Sequence, residues 1–130
     1  MNPVVHFEMP YKNGSRAAKF YESAFNWKMT DAGEKMGNYL LATTTDTDEK
    51  GMVKKPGTIN GGFYPLEAAK DAKEPSVVVA VDNIEESMGK IKEAGGKLLG
   101  TPTDIPGVGK YVPFVDTEGN RVSILQPTGM

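Results

Sequence analysis

Along the first ten residues, Val5, Phe7 and Met9 alternate with Val4, His6 and Glu8. A period of two belongs to a half-buried strand, apolar on one face and polar on the other. His6 and Glu8 are therefore expected on the same face. After a turn over residues 10–14, Asn13 is placed to cap a helix whose inner stripe is Ala17, Phe20, Tyr21 and Ala24, spaced i, i+3, i+4, i+7. Asn26 stands where a left-handed residue would end that helix. Residues 27–30, 38–45 and 58–64 read as three further strands, and the polar segment 46–57, with its Lys, Asp, Gly and Pro56, as a surface loop.

The pattern then repeats. Past the polar, alanine-containing stretch 65–75, Val77, Val79 and Val81 alternate with Ser76, Val78 and Ala80, predicting another strand. Asn83, with Glu86 three positions on, makes a capping-box-like start; Ile84, Met88 and Ile91 form the inner stripe, and Gly95 with Gly96 ends the helix. Strands are expected at 97–101, 110–115 and 121–126, the last two joined by a tight turn at Glu118, Gly119 and Asn120. The order is strand, helix, three strands, given twice at an offset of about 70 residues that matches Phe20 with Ile91. This predicts an α+β fold: one domain, 1–130, of two βαβββ modules, module one at 1–65 and module two at 75–130, connected by 66–74.

Composition narrows the function classes. The 130 residues carry 15 basic and 17 acidic side chains, a formal charge of −2, with no basic stripe to neutralise a phosphate backbone, so no nucleic-acid partner is expected. The absence of cysteine excludes disulfides, thiolate metal sites and a cysteine nucleophile. No apolar run approaches the length of a membrane span, and the N-terminus enters a strand directly, so the expectation is a soluble cytoplasmic protein without a membrane partner.

His6 is the single histidine, and its ordinary pKa makes it the natural proton carrier near neutral pH, with Glu8 beside it to orient it or act as a second base. A serine-hydrolase elbow is absent. Gly107-Val-Gly109 lacks the following glycine and helix start of a phosphate cradle and reads as a turn. Asp46, Asp48 and Glu49 lack the remaining spacing of a calcium loop and read as a solvated loop. Trp27 is expected to pack in the core.

Particular segments point to a family. His6-Phe-Glu-Met-Pro10, Arg16-Ala-Ala-Lys-Phe-Tyr21 and Phe25-Asn-Trp27 are similar to the opening of glyoxalase-like proteins. Val81-Asp-Asn-Ile84, Glu93-Ala-Gly-Gly-Lys97, Ile105-Pro-Gly-Val-Gly109 and Phe114-Val-Asp-Thr-Glu-Gly-Asn120 look like the second module of the same proteins. Almost the whole chain thus resembles the vicinal oxygen chelate superfamily of glyoxalases, bleomycin-resistance proteins and dioxygenases, nearest to proteins described as related to lactoylglutathione lyase. The resemblance implies a curved mixed sheet around a cleft, with the helices on its outer face, and places Phe63, Tyr111 and Phe114 as cleft neighbours.

Metal-dependent members hold one divalent cation on four inward-facing strand residues. His6 falls on the first of these positions, Ser76 and Ser123 on two others, and the fourth lies at residues 61–63. Three of the four are then not ligands. Glu8 adds a second donor, and a third would come from Asn60, Tyr39, Ser76 or Ser123, whereas a tight catalytic site takes about three protein ligands. No cofactor is required on this reading, though a weakly bound divalent metal on His6 and Glu8 is compatible with it. The expected function is small-molecule binding, with isomerase or lyase chemistry on a small oxygenated metabolite through proton transfer by His6 and Glu8, Ser76 and Ser123 being the opposing polar groups. The alternative is sequestration of a drug or metabolite, as in bleomycin-resistance proteins. The resemblance also implies a homodimer.

Overall fold

In the computed structural model, which describes residues 1–68 and 73–128, the helices form where an asparagine can satisfy a first-turn amide. Asn13 Oδ1 accepts from the Arg16 amide at 3.0 Å and starts α1 (Gly14–Phe25), and Asn83 Oδ1 accepts from the Glu86 amide at 3.0 Å and starts α2 (Ile84–Glu93). Asn26 closes α1 in the left-handed conformation, φ 59°, where its amide reaches the carbonyls of Tyr21 and Glu22. The strands are β1 (Val4–Tyr11), β2 (Lys28–Asp31), β3 (Leu40–Thr43), β4 (Asn60–Pro65), β5 (Ser76–Ala80), β6 (Lys97–Leu98), β7 (Thr103–Ile105), β8 (Gly109–Val115) and β9 (Arg121–Pro127). The class is mixed α+β. Part of the connector predicted at 66–74 lies outside the described residues.

The chain divides into two compact units, one of residues 6–75 and one of residues 1–5 with 76–130. β1 therefore begins in the second and continues in the first. In unit 6–75 the strand order is β2-β3-β4-β1, with β1 and β4 parallel and the other pairs antiparallel. Leu40, Ala42 and Phe63 form its buried core, covered by Phe7, Met9, Tyr11, Tyr21, Trp27 and Met29. In the other unit β5 lies parallel to β9, β9 antiparallel to β8, and β8 antiparallel to both β6 and β7. Val81, Ile84, Val112 and Ile124 are its buried core, with Met88 and Ile91 of α2 packed against them. Each unit repeats one plan, a parallel outer strand pair with a helix packed on one sheet face.

Two expectations change. Phe20 is 58% exposed and Ala24 is exposed, while Tyr21 carries the helix into the core, stacked on Trp27 at 4.8 Å and tilted against Phe63 at 5.1 Å. The residue at an offset of 70 from Ile91 is Tyr21, so the repeat that pairs helix cores is shifted by one from the pairing of Phe20 with Ile91. The strand expected at 97–101 stops at Leu98, because Gly100 takes φ 143° and Pro102 follows, and Thr103–Ile105 forms an additional edge strand through the 106–108 turn. Its Thr-Asp-Ile sequence is too short and polar to give an alternation signal.

Candidate active site

The register of β1 on β4 determines which side chains meet. His6 lies beside Asn60, Glu8 beside Gly62 and Met9 beside Phe63. Successive side chains alternate across a sheet, so His6, Glu8, Asn60 and Gly62 share one face, while Phe7, Met9 and Phe63 share the face that α1 covers. Gly62 also pairs with Leu41 of β3, which puts Leu41 and Tyr39 on the face of His6 and Glu8. Gly62 has no side chain, and a Cβ there would overlap the Tyr39 ring; the phenol fills that slot.

Tyr39 links the two predicted residues. Its hydroxyl donates to Glu8 Oε2 at 3.1 Å and lies 3.1 Å from His6 Nε2. A hydroxyl has one proton to give. With that proton on Glu8, His6 Nε2 carries the hydrogen that Tyr39 oxygen accepts, and the imidazole lone pair is at Nδ1. Burial holds the His6 pKa below its ordinary 6.5, so the ring is neutral at physiological pH. Glu8 is only 7% exposed, a carboxyl inside the sheet face with a phenolic donor on it. The arrangement can accept a proton at Nδ1 and stabilise the resulting imidazolium through Tyr39 to Glu8.

The other sequence-predicted residues divide by strand parity. Phe63 is 3% exposed in the α1 core and lies on the opposite sheet face from His6. Phe114 is likewise packed against the α2 core, since β8 turns Val112 and Phe114 toward α2 and Tyr111 to the opposite face. Tyr111 shares that opposite face with Ser123, and their hydroxyls are 2.7 Å apart. Ser123 is 1% exposed. Ser76 lies on the same face of its unit, by alternation with Val78, the β5 partner of Ser123. The sequence offered Tyr39 as a weak metal donor and not as the link between His6 and Glu8. The signal available was its two-residue spacing from Leu41 on a strand beside the glycines of β4.

Among the described residues, the donors around His6 and Glu8 do not fit a tightly held divalent metal. Beside His6 and Glu8, the β4 positions are Asn60, Gly61 and Gly62, and Asn60 Oδ1 is committed to the amides of Thr44 and Thr45, at 2.7 and 3.0 Å, where it closes the neck of the 46–57 loop. Among the described residues no three His, Cys, Asp or Glu side chains come together to hold a metal ion. No helix among them is long and apolar enough to cross a membrane.

Residues 4–124 match the model of the Glyoxalase/Bleomycin resistance protein/Dioxygenase superfamily. A glyoxylase-like domain-containing protein of Didymella fabae is 31% identical over 94% of this chain and 91% of its own length. A putative glyoxylase of Mycobacterium bovis is 37% identical over 39% of the chain, which is 20% of that protein. Among solved structures, methylmalonyl-CoA epimerase of Streptomyces coelicolor in complex with 2-nitronate-propionyl-CoA shares the fold with TM-score 0.70 at 12% identity over 97% of each chain. The Mycobacterium tuberculosis methylmalonyl-CoA epimerase does so with TM-score 0.67 at 13% identity, over 96% of this chain and 87% of that one.

Proposed function

The chain belongs to the Glyoxalase/Bleomycin resistance protein/Dioxygenase superfamily, and on that footing we propose that it binds a small oxygenated metabolite and moves a proton on it, as an isomerase or lyase. The observation that carries this reading is the Tyr39 hydroxyl between His6 Nε2 and Glu8 Oε2. His6 Nδ1 takes a proton from a carbon made acidic by a neighbouring carbonyl. Tyr39 and Glu8 hold the imidazole in one tautomer and offset its new charge, and the same nitrogen delivers the proton to the neighbouring carbon of the enediolate, which gives the isomer. The fold likeness to two methylmalonyl-CoA epimerases supports an acyl thioester or related carbonyl compound as the substrate class. A homodimer belongs to the same reading, since β2 stands at the end of its strand order with an edge that a second copy could cover.

The shortage of metal donors favours a second reading, sequestration without chemistry. Hydrogen–deuterium exchange separates the two. Methylmalonyl-CoA and the methylglyoxal–glutathione hemithioacetal are incubated with protein in D2O, and loss of the acidic C–H is followed by NMR for the wild type, His6→Gln and Tyr39→Phe. Exchange accelerated by wild type and abolished in His6→Gln is the expected result. Saturable binding without exchange would move the protein to sequestration, and neither binding nor exchange would sink the reading.

A further inference from the structure

We propose that a second ligand site lies on the other face of the same strands, in a groove between the end of β1 and the start of α1, and that it takes a small carboxylate with an apolar body. The groove has a volume of about 460 Å³, within the range of about 300–1,000 Å³ of small-molecule pockets. Met9, Ala17, Phe20, Tyr21 and Phe63 wall it. Its opening exists because α1 sends Tyr21 inward and leaves Phe20 at the rim, edge-on to Tyr21 at 4.9 Å and 58% exposed, while the small Ala17 sits one turn before. An apolar ligand would cover that exposed ring.

One end of the groove is cationic. Lys12 and Arg16 line it and are exposed, and neither is in an ion pair among the described residues. The first turn of α1 has no acidic residue, so the positive end of the helix dipole adds to the two charges. The equivalent turn of α2 carries Glu85 and Glu86. A carboxylate at Lys12 and Arg16 with an aryl or short alkyl body along Phe20 and Tyr21 matches both halves of the groove. This site is separate from the His6 face and does not rest on the proposed proton transfer.

The test uses the intact protein with 4-phenylbutanoate as probe and the neutral 4-phenylbutanol as its comparator, titrated by amide NMR. Fluorescence of Trp27, stacked on Tyr21, gives a second readout. The carboxylate is expected to saturate and to shift amides between Met9 and Tyr21. Ala17→Phe should abolish binding by filling the groove, and Lys12→Gln with Arg16→Gln should weaken the carboxylate about fivefold, the scale of two exposed charge contacts, while leaving the alcohol unchanged and circular dichroism native. Equal affinity for the alcohol, shifts confined to His6, Glu8 and Tyr39, binding that survives Ala17→Phe, or no saturation would each overturn the proposal.

Discussion

Asn13 and Asn83 cap their helices through the same bond, and each unit lays a parallel strand pair, β1 with β4 and β5 with β9, under its helix. The faces turned away from the helices differ. In unit 6–75 that face holds an imidazole, a carboxyl and the phenol between them; in the other it holds Ser76 and the hydroxyl pair of Tyr111 and Ser123. The helix side is tied to the core and keeps its apolar pattern in both units. The opposite face needs only internal satisfaction of its polar groups, so its chemistry is free to differ between the units, and the proposed proton transfer belongs to one of them.

The comparison is broken most directly through the core. Phe63→Ala should cost about 3–5 kcal/mol of unfolding free energy, as expected for a buried aromatic, and Phe114→Ala less, because Phe114 is only partly buried. Urea denaturation measures both. A Phe63→Ala protein of native stability that failed only in binding the ligand of the His6 face would return Phe63 to the cleft and reverse the parity assignment.

Next is the pair of phenols. Tyr39→Phe removes a donor from a buried carboxyl and should cost about 1.5–3 kcal/mol, whereas Tyr111→Phe breaks a neutral hydroxyl pair and should cost about 0.5–1.5. Proton exchange should fall only in Tyr39→Phe, and equal losses of exchange in both would remove the distinction between the two faces. Gly62→Ala sharpens it further. The added methyl meets the Tyr39 ring, so a loss of about 1–3 kcal/mol from overpacking should accompany loss of exchange. Gly89→Ala, on α2 with open space around it, should instead stabilise by about 0.8–1 kcal/mol, read from the thermal midpoint.

The smallest effect concerns pH. Burial lowers the His6 pKa from 6.5, so between the lowered value and 6.5 the unfolded chain binds more protons than the folded one. Stability should therefore rise with pH through that window and fall as the pH drops below 6.5, and His6→Gln should flatten that part of the profile. Activity carried by neutral His6 should show an acid limb below 6.5. A limb centred above 6.5 would point to a different base.

Much of the frame was legible from local signals. The Asn13 and Asn83 caps, the left-handed Asn26 and the alternation that set His6 beside Glu8 depend on near neighbours in sequence, where one side chain satisfies one backbone group or one strand face. The shift from Phe20 to Tyr21 was not legible, because both fit a helical stripe and only contact with Trp27 and Phe63 decides between them. The short polar β7 was invisible because its pairing with β8, rather than its own pattern, makes it a strand.

The sequence by itself thus determined the α+β class, the twofold repeat and the shared face of His6 and Glu8, all consequences of periodicities of a few residues. Tertiary structure alone decided that Phe63 and Phe114 face the helices and that Tyr39, more than thirty residues from either partner, enters the slot over Gly62 to join them. Register between strands distant in sequence places those groups, and no local pattern encodes register when one of the paired positions is a glycine with no side chain to read.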